Sequence, residues 1–497
     1  MRTKERLIAL WCPNLVFIVA AACLLGLIAA RYDTNLLAQP PQRDNWQSAA
    51  ALRALIENID EPSNPFVESR EGSRHFQPLW VGMALIARAF ELSPFQALRL
   101  AGYVSMALLA TGVFFFGKLY YPSPWGPVSL LFCMLFGWVL PIEHTGFHSV
   151  FTLLNGAAYP ATFMIGLGFI LWAITIRSLE KPRNWGWIFL LATVMFAIHQ
   201  LGAVIDFIIA ICIAAFNVRG TVRSRIMVIL AIVAGLLASS LWPYHRPIEL
   251  VFEPGNSTWQ GGPRFYSFDF LLGTFFPSLV GILGLLHREA RPFLVALAIF
   301  LACSSLGVLG IQLGGRFLMP CALVLHIGLA TVVVKLGHEI KGSTGRGAIG
   351  VYIGLASYLI MQVTLIGRFM NEGLEDRSSG ASVYTSALRL TQDIADSEQI
   401  AAFHETAWPI VATGQKVLSI PWPEPAIRNL SERQAITSKL FDPNLPSEER
   451  ILLMDRANVP TLIVDRRMIS GKSLGVLKDQ ADEVRVDGYF ARFDFWK

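Results

Sequence analysis

Charged residues are scarce in this sequence. Asp, Glu, Lys and Arg make up 15% of its 497 residues, hydrophobic residues make up 54%, and the mean hydropathy is +0.49. Soluble domains carry about 25% charged residues. Apolar runs of about 20 residues recur, and each is long enough for a helix to cross ~30 Å of hydrocarbon. The sequence therefore excludes an ordinary soluble protein and predicts a polytopic α-helical membrane protein.

Several common sequence signatures are also missing. The six cysteines all fall in apolar runs, so the sequence offers neither a disulfide framework nor zinc-ligand spacing. It contains no Walker A loop, dinucleotide fingerprint, HExxH motif or GxSxG motif. These absences leave ATP-driven and nicotinamide-dependent activities without support, and nothing in the sequence predicts a nucleic-acid partner.

About eleven transmembrane helices are predicted. Lys and Arg recur in alternate loops, which the positive-inside rule places in the cytoplasm. This alternation predicts a cytoplasmic N-terminus and an external C-terminus. The spans are expected near 7–30, 96–117, 125–141, 160–176, 186–200, 202–217, 226–243, 270–286, 292–311, 317–335 and 348–367.

A polar loop, 31–95, follows the first predicted span. Its apolar stretch, 78–92, is expected to lie in the membrane interface, because counting it as a span would break the charge alternation. Together with the spans, this loop forms a predicted transmembrane domain over 1–367.

The composition becomes polar after residue 367. This tail contains no run of membrane length and mixes strand and helix patterns. We therefore expect an extracytoplasmic α/β domain over 368–497. Strands are predicted over 411–421 and 459–465, with a turn at Gly414, and helices over 431–440 and 446–456.

Two acidic residues of the first external loop are candidates for chemistry. Asp44 heads a short amphipathic helix, where a carboxylate could act as a general base or stabilise charge. The spacing from Asp44 to Gln47 also fits a capping box, which is a structural explanation. Asp33, just beyond the first span, competes for the same role or is an interfacial charge.

Histidines mark two further places. His75 stands where the first loop returns to the membrane; it could bind phosphate, ligate a metal or shuttle protons, or be an interfacial polar residue. Glu143, His144 and His148 follow the third span and could form a metal site. Their spacing fits no strong metal motif, and ordinary loop residues that reach the interface explain them as well.

Several cationic residues lie in predicted external segments. His245, Arg246 and Arg264 fall in a loop where the topology rule requires no cations, so an anionic ligand is expected there. Arg316 stands at the mouth of the tenth span. Arginine at that depth is costly without a partner, and its guanidinium binds phosphate through two hydrogen bonds. These residues are the predicted substrate- or phosphate-binding positions.

Three stretches resemble polytopic glycosyltransferases of the C-type (GT-C) fold. That group includes the aminoarabinose transferases of lipid A and the protein O-mannosyltransferases. The first stretch is DNWQSAAALRAL from Asp44, with an acid before a surface helix. The second is HFQPLW from His75, followed by LIARAFELSPFQALRLAG, and the third is GRFLMP from Gly315 at the start of a late span.

The resemblance implies a polyprenyl-phosphate-sugar donor and a lipid, glycan or protein acceptor in a membrane-lipid setting. Asp44 would be the catalytic base of an inverting transfer, His75 would assist it, and Arg316 would face the leaving phosphate. Asn45 stands where many members have a second acid, so dependence on a divalent metal stays open. The resemblance also implies a bacterial inner-membrane protein that acts on the periplasmic side.

Two other functional classes remain compatible with the sequence. A transporter or flippase for an anionic lipid or lipid-linked sugar would also show external arginines. It would more often show matched, Gly/Pro-broken helices in two halves, and no such pairing is found. A non-catalytic assembly or sensor protein would use its charged tail to bind a partner. The long first loop favours the glycosyltransferase, because it has no obvious role in a carrier.

Overall fold

A computed structural model gives the architecture of most of the chain. Its described parts are residues 2–35, 43–69, 71–139, 147–181, 184–218, 220–252, 266–308, 312–340, 346–375, 377–395, 398–422, 424 and 426–495.

Helices dominate these described parts, and strands occur only in the tail. The helices are α1 Arg2–Asn35, α2 Arg43–Glu57, α3 Pro78–Phe90, α4 Pro94–Tyr120, α5 Gly126–Phe136, α6 Val150–Gly156, α7 Pro160–Glu180, α8 Trp185–Ile198, α9 Gln200–Phe216, α10 Val222–Ala238, α11 Pro247–Phe252, α12 Phe268–Phe275, α13 Gly281–Leu285, α14 Arg291–Val308, α15 Leu318–Ile340, α16 Arg346–Glu375, α17 Arg377–Thr391, α18 Ala407–Thr413, α19 Leu430–Leu440, α20 Ser447–Ala457 and α21 Gly471–Gln480. The strands are β1 Gln399–Ala402, β2 Lys416–Val417, β3 Thr461–Asp465, β4 Glu483–Asp487 and β5 Phe490–Asp494.

The chain forms two compact units, each made of segments that are distant in sequence. The membrane unit comprises Met1–Tyr32, Gly102–Trp242 and Arg246–Glu372. The loop–tail unit comprises Asp33–Ala101, Pro243–His245 and Gly373–Lys497. The domain ranges expected from the sequence, 1–367 and 368–497, stay a prediction.

Six helices of the described chain are long and apolar enough to cross a membrane. They are Cys12–Ala30, Pro94–Tyr120, Pro160–Glu180, Val222–Leu241, Arg288–Gly307 and Gly314–Gly337. Shorter apolar helices, α3, α5, α8 and α9, accompany them. The predicted fold class is therefore confirmed: the chain is a multi-pass α-helical membrane protein with a C-terminal α/β domain.

The predicted eighth span, 270–286, is broken in the structure. Helix α12 ends at Phe275, a 3-10 turn occupies Ser278–Val280, and α13 follows. Pro277 lies at the break and has no backbone N–H to continue the helical ladder. An apolar run alone did not predict this interruption.

Helix α3 corresponds to the stretch that was expected to lie in the interface. It has 13 residues, or about 20 Å, which is shorter than the hydrocarbon core. Pro78 begins it, and Glu91 ends it in the left-handed conformation, φ 53°. Its interfacial position stays a prediction.

A five-stranded mixed sheet organises the tail, in the order β2-β1-β3-β5-β4. Strand β1 is parallel to β2 and β3, whereas β5 is antiparallel to β3 and β4. Strands β3 and β5 are buried along their whole length. Both faces are therefore covered at the centre of the sheet, whereas the edge strand β4 is partly exposed.

The loop between α1 and α4 covers one face of this sheet. Alternate residues divide between two cores, since Ile400, Ala402 and Ile463 join one cluster and Ala401 and Leu462 join the other. The first cluster also contains residues from α2 and the loop that follows it: Trp46, Ala49, Ala50, Phe66 and Val67. Helices α19, α20 and α21 contribute side chains to the second cluster, on the other face of the sheet.

The secondary structure predicted for the tail was partly wrong. Helices α19 and α20 and strand β3 lie where they were predicted. Of the strand predicted over 411–421, however, the first part is the end of α18 and only β2 is a strand. Gly414, φ 107°, ends α18 in the left-handed conformation, so the turn predicted there is confirmed.

Candidate functional site

Asp44 lies in the first turn of α2 and is half-buried. Because α2 already begins at Arg43, Asp44 is inside the helix rather than at the capping position. An acidic residue in the first turn interacts favourably with the helix dipole. Trp46 is buried two residues later, stacks on Tyr384 at 5.7 Å and meets the edge of Phe95 at 6.1 Å. These aromatic contacts hold the turn that carries Asp44.

His75 lies in the short segment before α3 and is 16% exposed. Its ring meets the edge of Phe66 at 5.2 Å, and its backbone N–H donates to Ser73 Oγ at 3.2 Å. Its Nε2 is 3.6 Å from Oε2 of Glu424. Burial, then the charge of Arg74 and the neighbouring His245, lowers the pKa of His75 well below 6.5. The lowered pKa favours the neutral form of the His75 imidazole, and its predicted part in binding phosphate stays a prediction.

Glu424 reaches the first loop from the tail and is almost completely buried, with 1% of its side chain exposed. Its Oε1 accepts the backbone N–H of Arg74 at 3.1 Å, and its Oε2 lies 3.1 Å from Arg74 Nε. Burial raises the pKa of Glu424, while Arg74 and hydrogen bonds from Arg74, Ala426 and Ser73 oppose that shift. This carboxyl group thus joins two segments 350 residues apart.

A second pair repeats this arrangement in the opposite direction. Glu71, in the loop, accepts the backbone N–H of Arg428 at 2.9 Å through Oε2, and its Oε1 lies 3.0 Å from Arg428 Nε. Each chain segment therefore gives a carboxylate to the backbone and side chain of an arginine in the other. We call the two pairs, Glu424 with Arg74 and Glu71 with Arg428, the carboxylate clasp.

A third segment, Pro243–His245, packs on the same loop. Phe76 meets the Tyr244 ring at 6.0 Å, and the Tyr244 hydroxyl donates to the carbonyl oxygen of Ile59. A Cβ on Gly72 would lie 2.6 Å from the Tyr244 carbonyl oxygen, so only glycine permits this approach. Both ring nitrogens of His245 are buried. Two residues predicted separately, His75 and His245, are thus brought together.

In the membrane unit, His148 belongs to a buried histidine pair. Its Nε2 lies 2.8 Å from Nδ1 of His326, and Nε2 of His326 lies 3.0 Å from the carbonyl oxygen of Gly137. Because a carbonyl only accepts, His326 carries its proton on Nε2 and accepts at Nδ1 from His148. Both rings pack against Trp138.

The same region completes the hydrogen bonding of the C-terminal end of α5. This helix has 11 residues, or about 16 Å, and its last carbonyl groups have no helical partner. The Tyr358 hydroxyl lies within hydrogen-bond distance of the carbonyl oxygens of Phe136 and Trp138, and the Gln362 amide donates to the Trp138 carbonyl at 2.7 Å. Non-helical backbone at membrane depth requires such partners. The pair formed by His148 therefore has a clear structural role.

The remaining predicted residues are dispersed. Arg316 is half-buried in the 3-10 turn Gln312–Phe317 before α15. Arg246 is exposed and binds Glu249 at 2.9 Å. Asp33 lies in α1, but its side chain is outside the described part of the structure, as are Glu143, His144 and Arg264 altogether.

Sequence reasoning missed Arg74, Glu424 and His326. Glu424 stands between two prolines with no periodic or motif signal, and His326 is one polar residue in an apolar run. Their partners are distant in sequence, so no local pattern could have found them. The one available signal was that an uncompensated polar residue in such a run is costly and needs a partner.

No protein-family profile and no curated protein sequence matches the chain. Solved structures do share its architecture. ArnT from Cupriavidus metallidurans in the apo state matches with a TM-score of 0.53 and 12% identity over 97% of both chains. ArnT bound to undecaprenyl phosphate matches with a TM-score of 0.52 and 10% identity, also over 97% of both chains.

The oligosaccharyltransferase of Archaeoglobus fulgidus in the apo form also matches. Its TM-score is 0.53 at 10% identity, over 93% of this chain and 71% of that chain. Both proteins are glycosyltransferases with the GT-C fold. At these identities the likeness concerns the fold, and it covers the membrane helices together with the tail. The chain therefore has the GT-C fold, and the resemblance noted in its sequence is confirmed at that level.

Proposed function

We propose that this protein is an integral membrane glycosyltransferase that takes a sugar from a polyprenyl-phosphate-linked donor. The observation that carries the proposal is the likeness in fold, over 97% of both chains, to an enzyme whose structure contains undecaprenyl phosphate. The acceptor is a lipid, glycan or protein, and transfer takes place on the periplasmic side of a bacterial inner membrane.

Asp44 is the proposed catalytic base. Its carboxylate accepts the proton of the acceptor hydroxyl while that oxygen attacks the anomeric carbon. The bond from the anomeric carbon to the phosphate oxygen breaks, and polyprenyl phosphate leaves with both bonding electrons. Attack opposite the leaving group inverts the anomeric centre. The buried aromatic contacts of Trp46 support this role, because a base must be held rigidly to act.

Arg316 is the proposed ligand of the departing phosphate. It is half-buried at the start of α15, and a guanidinium stabilises the charge that develops on a leaving phosphate. A structure of the A. fulgidus enzyme is a complex with zinc and sulfate. Among the residues described in this chain, however, no group of three or more His, Cys, Asp or Glu could hold a metal.

The test compares the purified wild type with Asp44→Asn, using a panel of polyprenyl-phosphate sugars and candidate acceptors. Asparagine has nearly the same shape, so folding should change little while the base is lost. We expect transfer to fall by about a hundredfold or more.

Glu57→Gln is the matched control, since Glu57 is an exposed acid at the other end of α2. It should retain wild-type transfer. An Asp44→Asn protein that folds normally and transfers as fast as the wild type would remove Asp44 from the mechanism.

A further inference from the structure

The carboxylate clasp joins the first loop to the tail through two chemically equivalent halves. In each half, one carboxylate binds both the backbone N–H and the Nε of an arginine. Each half thus combines one backbone hydrogen bond with one ion pair on the same arginine. The loop segment at Arg74 is therefore fixed by a carboxylate of the tail, and the tail segment at Arg428 is fixed by a carboxylate of the loop.

The two halves differ in burial and in what lies beside them. Glu424 is 1% exposed, and its Oε2 is 3.6 Å from His75 Nε2. Glu71 is 28% exposed and pairs with an arginine that is 88% exposed. Exposed pairs contribute little to stability, whereas removing one partner of a buried pair is costly. The Glu424 half is therefore the buried one, and its carboxyl group lies beside His75.

We propose that the tail supplies Glu424 as a positioning residue for His75, so that the site in the first loop is complete only when the tail is docked. Glu424 fixes the backbone at Arg74, the residue immediately before His75, and places a carboxyl oxygen beside the imidazole. Phe66 restricts the ring from another side. This gives the tail a function within the proposed transfer reaction, and in that respect it rests on the proposed function.

A neutral His75 is suited to such positioning. The lowered pKa of His75 leaves a lone pair on one ring nitrogen near pH 7. That nitrogen can accept a hydrogen bond from a sugar or acceptor hydroxyl only if the ring is correctly turned. A displacement of about 1 Å in a reacting group can lower a rate about a hundredfold. The position of the backbone next to His75, which Glu424 fixes through the N–H of Arg74, therefore matters more than the charge of the ring.

The first experiment does not depend on transferase activity. The full-length protein is treated with diethyl pyrocarbonate, which modifies neutral imidazole, and modification of His75 is followed by mass spectrometry. We expect Glu424→Gln to make His75 react at least about threefold faster, because the local contact that restrains it is lost. Glu71→Gln, the matched change in the other half, should leave the rate as in the wild type. Equal rates in the two variants, or no change in either, would overturn the proposal.

The second experiment is a double-mutant cycle on transfer, with kcat and KM measured separately. We expect Glu424→Gln to lower kcat by about ten- to a hundredfold, and to add little in the His75→Ala background. Glu71→Gln should combine additively with His75→Ala. Additivity for Glu424→Gln would show that Glu424 acts only on stability and would overturn its positioning role.

Separate controls distinguish a variant that fails to fold from a failure of the proposed function. If Glu424→Gln does not fold, Glu424→Asp retains the carboxyl group but withdraws it by one methylene, and the same two results are expected. If the wild type transfers from no donor, the proposed function fails. The modification experiment would still decide whether Glu424 positions His75.

Discussion

Burial favours the neutral forms of both His75 and Glu424, and this has a consequence for stability. The pKa of His75 is lowered by burial, Arg74 and His245, so the unfolded chain binds a proton that the folded chain does not. Its contribution to stability is complete above pH 6.5 and is lost as the pH falls through the folded-state pKa. The raised pKa of Glu424 has the opposite effect on stability. As the pH falls, protonation of Glu424 stabilises the folded chain relative to the unfolded chain.

The contribution of His75 can be isolated by removing its titration. In His75→Gln the loss of stability below pH 6.5 disappears. We therefore expect the variant's thermal midpoint to improve relative to the wild type between about pH 7.5 and about pH 5. Thermal unfolding in detergent at several pH values measures this difference. A difference that does not vary with pH would mean that His75 titrates normally in the folded protein.

Among the helices, α13 and α15 pack through their backbones. A Cβ on Gly281 would overlap the carbonyl oxygen of Leu325, and one on Gly284 would overlap that of Gly328. In lipid, small residues permit close packing that no hydrophobic effect drives. The short helix α13 follows the break in the predicted eighth span. It packs closely on α15 because its glycines carry no side chains.

Adding a single methyl group tests this packing. We expect Gly284→Ala to destabilise the protein by about 1–3 kcal/mol, because backbone atoms must move to make room. Gly26→Ala in α1 is the matched control, since nothing lies within 4 Å of its added Cβ. Alanine there should be neutral or should stabilise by up to about 1 kcal/mol. Equal midpoints for the two variants in thermal unfolding would show that α13 and α15 are not closely packed.

At the scale of the whole molecule, the tail shares its core with the first loop. Trp46 and Phe66 belong to the cluster that covers one face of the sheet, and the N–H of Val417 in β2 donates to the Phe66 carbonyl at 2.8 Å. A tail separated from the loop would expose that face to water. Large exposed apolar patches of this kind lead to aggregation.

A fragment of residues 373–497 is therefore expected not to fold by itself. A matched fragment in which residues 43–78 are joined to it by a flexible linker should regain tertiary structure, because it restores the first cluster. Near-ultraviolet circular dichroism and the dispersion of amide NMR signals distinguish these states. A folded, monomeric 373–497 fragment would mean that the shared core is dispensable.

The sequence predicts the elements of this fold better than their association. Hydrophobic runs locate the membrane helices because burial in lipid requires them, and the spacing of apolar residues locates helices α19 and α20 and strand β3. Pairing between segments follows no local rule. Arg74 and Glu424 are 350 residues apart, and His148 and His326 are 178 apart. Of the predicted site residues, His75 and His245 come together, but the contact of His75 with the tail depends on tertiary structure.

The fate of the sugar–phosphate bond in proteoliposomes distinguishes a glycosyltransferase from a transporter most directly. The purified protein is reconstituted with a polyprenyl-phosphate sugar labelled in the sugar, together with candidate acceptors. We expect the label to move to an acceptor while unlabelled polyprenyl phosphate accumulates in equal amount. If the labelled lipid instead crosses the bilayer with its sugar–phosphate bond intact, the protein is a transporter and the glycosyltransferase account is wrong.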